Sequence, residues 1–571
     1  MHLRRIKLPA FRNLKSFEIE FSERADDTTI QEGGRVFSSH AVIGANGTGK
    51  SNLIEAIIMI FRDLDLYQVA SFDYELDYRI RGHEIEIKAV ASKRPSVVID
   101  GERASAKQLR DEARTYLPSN VFVYYSGKND RIEQLFQAHQ RRFNQRMEIT
   151  AEEYLPEQLL QNFTGEEEQA QAIEEHTRLA NQRRDQLGED QLRRLFYCRG
   201  GHSQLVLLAC LLSDDALFKR LLNDLNIVDL DSALFVLKQP QSLKKNLNET
   251  DIIEGDKRFW YARGEVISEF LDKLWPLAIA PIDHTADKLI DFRGRTEKQE
   301  QLYLFLPDKE RLLELGNHVG AADRFFRYAE AAYIGDLIDE VRITVKHKDA
   351  EGNISFNQLS EGELQLLTVL GLMRITSQDH CLFLLDEPDT HLNPIWKLRY
   401  FDEIEKVVCR NAAQTIAGNS QIIITTHDPI MLGSLRREQV RILRKERGLS
   451  VVKEPDQHPQ GMGITGLLRS ELFGLTSTVD SETRRRLDRR NYLYALGKQR
   501  TQKEDEEMNR LSDELSDLGF STSDFKDPYF AKFVSKMALH TKFHKDVLTP
   551  EEQREQDAIA DEIIEEILRE E

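Results

Sequence analysis

One short stretch limits what this chain can fold into more than any other. Gly44-Ala45-Asn46-Gly47-Thr48-Gly49-Lys50-Ser51 fits the pattern GxxxxGK[ST]. The apolar run Ala41-Val42-Ile43 precedes it, and SNLIEAIIMIFRDL, apolar at helical spacing, follows from Ser51. Strand, glycine loop and helix in that order form a phosphate-binding unit. Glycines let the backbone curl so that several N–H groups face one phosphate, and the helix N-terminus adds positive potential. Asn46, Gly47, Thr48, Gly49 and Asn52 would line the loop. Lys50 would reach the β- and γ-phosphates and Ser51 would ligate Mg²⁺, so ATP and Mg²⁺ are the expected ligands. The structural alternative is a glycine-rich turn before a core helix.

Cys381-Leu-Phe-Leu-Leu385-Asp386-Glu387 is the second strong signal. An aliphatic run of this kind suits a strand buried on both faces. Two carboxylates follow at its C-terminal end, the rim where open α/β sheets bind ligands. Asp386 would hold the metal and Glu387 would polarise the attacking water. Two weaker pieces follow the same logic. Ser360 opens a helical stretch with Glu363 three residues on, which taken alone reads as a capping box. Ile422-Ile-Ile-Thr-Thr426-His427 ends another aliphatic run with a histidine on the same rim, where a loop histidine is the ordinary reading.

The rest of the chain fits around these motifs. LRRIKLPAFRNLKSFEIEF reads as two strands joined by a turn, and YELDYRI, HEIEIKAV, SVVIDG and VFVYYSG as further strands, with a hairpin turn at Asp100-Gly101. Residues 131–336 have helical periodicity without a sustained heptad, as in EEYLPEQLLQNF, EEQAQAIEEHTRLANQRRDQL and SQLVLLACLLSDDALFKRLLNDL. Strands are expected again at DEVRITVKHKDAEGNISF, 381–387, 421–428 and 440–453. Beyond about residue 463 the chain reads as helical and highly charged.

Composition removes whole classes of function. The 571 residues carry 78 Lys and Arg against 97 Asp and Glu, a net charge of −19. Nucleic acid could therefore be met only through a local basic patch. The longest apolar runs are too short to span a bilayer, and the charged start MHLRRIKLPAFRNL is not expected to be a signal peptide. Four cysteines without CxxC spacing suit a reducing cytosol.

Taken in order, the motifs resemble the ABC-type ATPase heads of the SMC/RecF/OLD group. GANGTGKS looks like Walker A, QLSEGELQLL like the signature motif, LFLLDEPDTHLNP like Walker B with the D-loop, and IIITTHDP like the H-loop. The resemblance implies an α/β fold: an ABC-type P-loop ATPase head, with a mixed sheet, flanking helices and an antiparallel β subdomain. It would carry a helical insertion and a helical C-terminal region. The implied division is 1–130 and 337–455 for the head lobes, 131–336 for the insertion and 456–571 for the C-terminal region. The resemblance also places Arg12, in AFRNL, near the nucleotide. It sets Ser360 and Gly362 of one head over the phosphate bound to Lys50 of another, and has His427 sense the γ-phosphate.

Within the group, FVYYSG, RRLFYCRGGHSQLVLL, GITGLLRSELFGL and LGFSTSDFKDPYFAKF are similar to segments of restriction-system-associated AAA ATPases, which include the ATPase subunits of Septu and retron anti-phage systems. That family implies a cytoplasmic defence ATPase, a homo-oligomer that works with a separate HNH-type nuclease subunit. In retron systems, a reverse transcriptase and its msDNA, or another nucleic acid, would join it. A RecF/SMC-like repair ATPase that binds DNA directly is the alternative.

The sequence departs from the group at several points. No glutamine stands in the turn after VFVYY, where Tyr125-Ser126-Gly127 sits, and Gln134 is the nearest downstream substitute. Glu361 replaces a small residue, and Asn393 stands where Asp is common. No Asp-x-Asp follows the head, so no nuclease is expected in cis. His540, His544 and Asp546, and Cys198 with His202, read as structural rather than as metal sites. The basic stretch Arg484 to Arg500 with Tyr492 and Tyr494, and the stripe Ile559, Ile563, Ile564, Ile567 and Leu568, are candidate surfaces with ordinary structural readings.

Overall fold

The structure is a computed structural model. It describes residues 1–21, 39–127, 130–147, 194–245, 255–289, 294–320, 322–348, 352–376, 380–408, 420–520, 528–540 and 550–569, with isolated positions 165, 171, 252 and 542. These residues cluster into two compact units. One comprises Met1–Val42, Gly47–Thr426 and Leu443–Val452; the other comprises Ile43–Asn46, His427–Ile442 and Lys453–Glu571.

Strands β1 (His2–Phe11) and β2 (Leu14–Glu20) form the opening hairpin, and β3 (Ser39–Ile43) leads into the glycine loop. A meander of β4 (Tyr74–Ile80), β5 (His83–Ala89), β6 (Ser96–Ile99) and β7 (Glu102–Ala104) then completes an antiparallel sheet in the order β2-β1-β4-β5-β6-β7. Residues in β5 alternate between buried and exposed, so the sheet has one face in the core. That core takes in Leu53, Ile57 and Phe61 of the helix Lys50–Asp65. Asp100-Gly101 forms a two-residue turn: Ile99 faces Glu102, with φ of 51° and 84° between them. Positive φ at both positions matches the twist of the flanking strands.

Strands β8 (Val121–Tyr125) and β9 (Leu195–Tyr197) pair in parallel. Then β10 (Ile227–Lys238), β11 (Ile279–Leu289), β12 (Thr296–Leu306), β13 (Ile338–His347) and β14 (Asn353–Ser355) form a sheet in the order β11-β12-β10-β13-β14. Finally β15 (Leu382–Asp386), β16 (Gln421–Thr426), β17 (Val440–Glu446) and β18 (Leu449–Lys453) join β3, β8 and β9 in the order β18-β17-β3-β16-β15-β8-β9. Every residue of β3, β15 and β16 is buried. Strand β15 lies parallel to both β8 and β16, so the ends of several strands reach one rim.

Residues 131–336, expected to be helical, are mixed. The described part contains helices such as His202–Leu212 and Ala322–Ile334, but it also contributes β9 to β12. The apolar run Ala233-Leu-Phe-Val-Leu237 lies between β12 and β13. A short apolar run covered on both sides has no period that separates strand from helix. The helices expected at EEYLPEQLLQNF and EEQAQAIEEHTRLANQRRDQL lie outside the described residues.

The second unit is helical after β18, with Gly463–Arg469, Ser481–Leu496, Gln502–Asp517, Pro528–Leu539 and Pro550–Arg569. Its basic stretch is engaged by acids. Arg489 makes a two-pronged contact with Glu507 at 3.0 and 2.7 Å, Arg500 bonds Asp505 at 2.6 Å, and Arg486 reaches Glu482 at 2.5 Å. From the C-terminal stripe, Ile563 and Ile567 are buried, whereas Ile564 remains exposed. No helix among the described residues is long and apolar enough to cross a membrane.

Candidate nucleotide site

The glycine loop has the backbone that the sequence anticipates. Gly47 has a φ of 79° and Gly49 one of 117°, both left-handed. Gly49 is the N-cap of the helix Lys50–Asp65, and no side chain caps that end. A helix N-terminus without a side-chain cap suits a bound anion. Space also requires a glycine at 49. A Cβ there would lie 2.5 Å from Leu14 Cδ2 and 2.9 Å from Asn13 Oδ1.

Four predicted residues converge beyond the loop. Lys50 is 6 % exposed, and its Nζ lies 4.0 Å from Glu387 Oε1. Burial lowers the Lys50 pKa, against the pull of Glu387 and Asp386. Asp386 is buried and accepts hydrogen bonds from Thr425 Oγ1 and from Ser51. Burial pushes its pKa up despite those bonds. Glu387 is half-buried, with a φ of 48°, a conformation few non-glycine residues adopt, and its N–H donates to Thr425 O at 2.9 Å. A desolvated ammonium, a serine hydroxyl beside a carboxylate, and uncapped helix N–H groups fit a magnesium nucleotide.

Ser360 and Gly362 stand at the start of another helix. Ser360 is exposed at the start of the helix Glu361–Thr376. Its N–H and hydroxyl donate to Glu363 Oε2 at 2.8 and 2.7 Å, and its Oγ accepts from the Glu363 N–H at 3.3 Å, so the capping box is present. A Cβ on Gly362 would lie 2.5 Å from His391 O, so the helix start packs tightly on the loop after β15. His391 Nδ1 also lies 3.1 Å from Glu361 Oε2, and Gln365 donates to Pro388 O. Thr426 Oγ1 donates to Asp389 Oδ1 at 3.1 Å, which ties the same loop to the end of β16. His427 follows β16 directly and is exposed; it and Asn46 belong to the second unit.

Arg12 is adjacent to Asn13, whose side chain bonds the glycine loop. It stands in the β1–β2 turn with a φ of 51°, and its guanidinium bonds Glu55 of the helix Lys50–Asp65. Glu55 is buried and also has Arg131 Nε at 3.3 Å. Sequence reasoning missed Asn13, which bonds both Gly47 and Asn52, and Thr425, the hydroxyl on Asp386. Gln134 is exposed on the short turn Glu133–Phe136, and the Ser126 N–H donates to Asp386 O at 3.3 Å. Cys198 is buried with its thiol pKa pushed up, and His202 is buried 3.6 Å from Glu330. Among the described residues no group of three His, Cys, Asp or Glu could hold a metal; His544 and Asp546 lie outside them.

Residues 1–432 match the family model described as AAA ATPase domain. The chain belongs to that family. It is an ATPase with an ABC-type head fold: a mixed seven-stranded sheet with flanking helices, beside an antiparallel β sheet. No curated protein matches the ATPase. Among solved structures it is similar to the SMC head domain from Thermotoga maritima, at 13 % identity over 80 % of this chain and 99 % of that one, with a TM-score of 0.29. The recombination mediator RecF with ATP gives 14 % identity over 79 % and 99 %, with a TM-score of 0.29. An Smc head with a coiled coil and joint from Pyrococcus yayanosii gives 14 % over 80 % and 97 %, with a TM-score of 0.30. The fold assignment rests on the ATPase's own sheet order, glycine loop and carboxylate pair.

Proposed function

We propose that this ATPase works as a head-to-tail pair of heads sandwiching ATP, and that its nucleotide state governs a separate HNH-type nuclease subunit in a cytoplasmic anti-phage defence complex. One observation carries the pairing. Lys50, Ser51, Asp386 and Glu387 converge, while Ser360 stands exposed at the start of another helix, its hydroxyl bonded to Glu363. A helix N-terminus with an exposed serine suits phosphate. In a pair of heads that phosphate would belong to the partner's nucleotide.

In this reading the N–H groups of Gly47 to Ser51 and the Lys50 ammonium hold the β- and γ-phosphates. Ser51 and Asp386 would hold Mg²⁺, which neutralises phosphate charge. Glu387 polarises the attacking water, and His427 contacts the γ-phosphate and registers its loss. The nuclease partner is supported by the segments similar to defence ATPases. It is also supported by the engaged state of Arg486, Arg489 and Arg500, which leaves that stretch poorly suited to clamp DNA directly. A retron reverse transcriptase with its msDNA is the further partner consistent with the reading.

Particle size by light scattering tests it, for wild type and Glu387→Gln with and without ATP–Mg²⁺, together with co-purification from the native operon. The expected result is an ATP-stabilised pair or larger assembly that retains a small nuclease. A particle indifferent to ATP, with no protein partner and salt-sensitive DNA retention, overturns it.

A further inference from the structure

We infer that Asn13 is a positioning residue for the phosphate loop: its side-chain amide fixes the peptide plane between Gly47 and Thr48. This rests on the reading of Gly47 to Ser51 as the phosphate site and adds a residue from outside the motif.

The turn that carries Asn13 is short. Phe11 pairs with Leu14, so Arg12 and Asn13 alone connect β1 to β2. Both ends of the Asn13 amide are engaged. Nδ2 donates to Gly47 O at 2.8 Å, and Oδ1 accepts from Asn52 Nδ2 at 2.6 Å. A flipped amide would set oxygen against the Gly47 carbonyl and lose that bond, so Asn52 selects the productive orientation. Asn52 lies in the first turn of the helix Lys50–Asp65, so Asn13 bridges the loop and the helix it opens.

The bond matters because of where the other side of the peptide points. The Gly47 carbonyl and the Thr48 N–H belong to one planar trans unit and point in opposite directions. Holding the carbonyl toward Asn13 therefore sends the Thr48 N–H away from the turn. Gly47 has a φ of 79°, and a glycine there offers little resistance to rotation of the next peptide. The restraint comes from outside the loop. Leu14 adds a steric stop, since its Cδ2 lies 2.5 Å from where a Gly49 Cβ would be.

A device that presets the ground-state loop acts on ADP and ATP alike. Its loss raises KM and nucleotide Kd more than it lowers kcat at saturation. One neutral hydrogen bond and one freed peptide correspond to roughly a tenfold weakening.

The test is titration of a fluorescent ADP analogue with Mg²⁺ on wild type, Asn13→Ala, Asn13→Asp, Asn52→Ala and Lys50→Ala, with ATPase kinetics and nucleotide-free melting on each. Asn13→Ala should bind about tenfold more weakly, with kcat changed less than KM. Asn13→Asp, of the same shape, cannot donate to the Gly47 carbonyl and should bind more weakly still. Asn52→Ala should give a smaller loss. If Lys50→Ala abolishes binding while Asn13→Ala and Asn13→Asp both bind as wild type does, the Asn13 role is overturned. So it is if kcat falls while KM holds, or if affinity falls only in step with melting. If Lys50→Ala itself binds normally, the phosphate-site reading fails instead.

Discussion

Burial separates the two carboxylates that end β15. Asp386 is buried, and desolvation raises its pKa although Thr425 and Ser51 donate to it and Lys50 lies nearby. Its folded pKa exceeds its unfolded one, so its contribution to stability is fully present in acid and is lost as pH rises through the folded value. Asp386→Asn should therefore melt higher than wild type without nucleotide at neutral pH, by a margin that narrows toward acid, while ATPase activity is lost. Melting below wild type at both pH values would sink this account. Glu387 is half-buried and its carboxylate lies 4.0 Å from the Lys50 ammonium. Glu387→Gln should lower turnover by about 10²–10⁴-fold and leave nucleotide affinity within a few-fold, as read by single-turnover kinetics and titration. Lys50, Ser51, Asp386 and Glu387 were legible because spacing and local pattern alone define the motifs that carry them. Asn13 and Thr425 were not. Each acts only because a residue distant in sequence comes to lie against it, and a turn asparagine has no pattern that reveals its partner.

The helix Lys50–Asp65 is fastened along its length by ion pairs that no motif announces. At its last residue, Asp65 takes Arg194 Nε at 2.6 Å and His139 Nε2 at 2.8 Å, all three side chains being nearly fully buried. Burial would raise the Asp65 pKa, but the hydrogen bond from His139 and the charge of Arg194 more than offset it. Its stability contribution is thus present above the unfolded value and lost as pH falls through the folded one. Arg194→Met removes the guanidinium that contacts this buried carboxylate and leaves His139 and the charge of Arg142 near it, which should cost about 3–5 kcal/mol. Denaturant unfolding followed by fluorescence checks this, and a loss below about 1 kcal/mol would place the pair among those that contribute little. Periodicity foretold this helix, and turn chemistry foretold Asp100-Gly101, because both signals are local. Strands β10 to β12 escaped for the opposite reason: β10 lies between β12 and β13, which join it from about 60 and 100 residues further along the chain.

Pairing of heads is a property of the whole molecule, and one chain can only imply it. Ser360 is exposed and Gly362 packs closely on His391 O, so this helix start lies against the loop after β15. The proposed pair is head-to-tail within each nucleotide site: Lys50 comes from one copy and Ser360 from the other. Mixing two dead variants tests that arrangement directly. Lys50→Ala removes the phosphate contact, and Ser360→Arg puts a bulky cation on the exposed helix start. Each alone should be inactive. In a mixed pair both defects fall in one site, and the second site has an intact Lys50 and an intact Ser360. Random pairing makes half of the pairs mixed, with one of two sites restored, so about a quarter of wild-type activity should return. If each site works only when the other is also intact, activity stays low, but ATP should still raise the particle mass of the mixture toward that of a pair. Neither recovered activity nor an ATP-dependent mass would mean that Ser360 serves its own chain as a helix cap and nothing more.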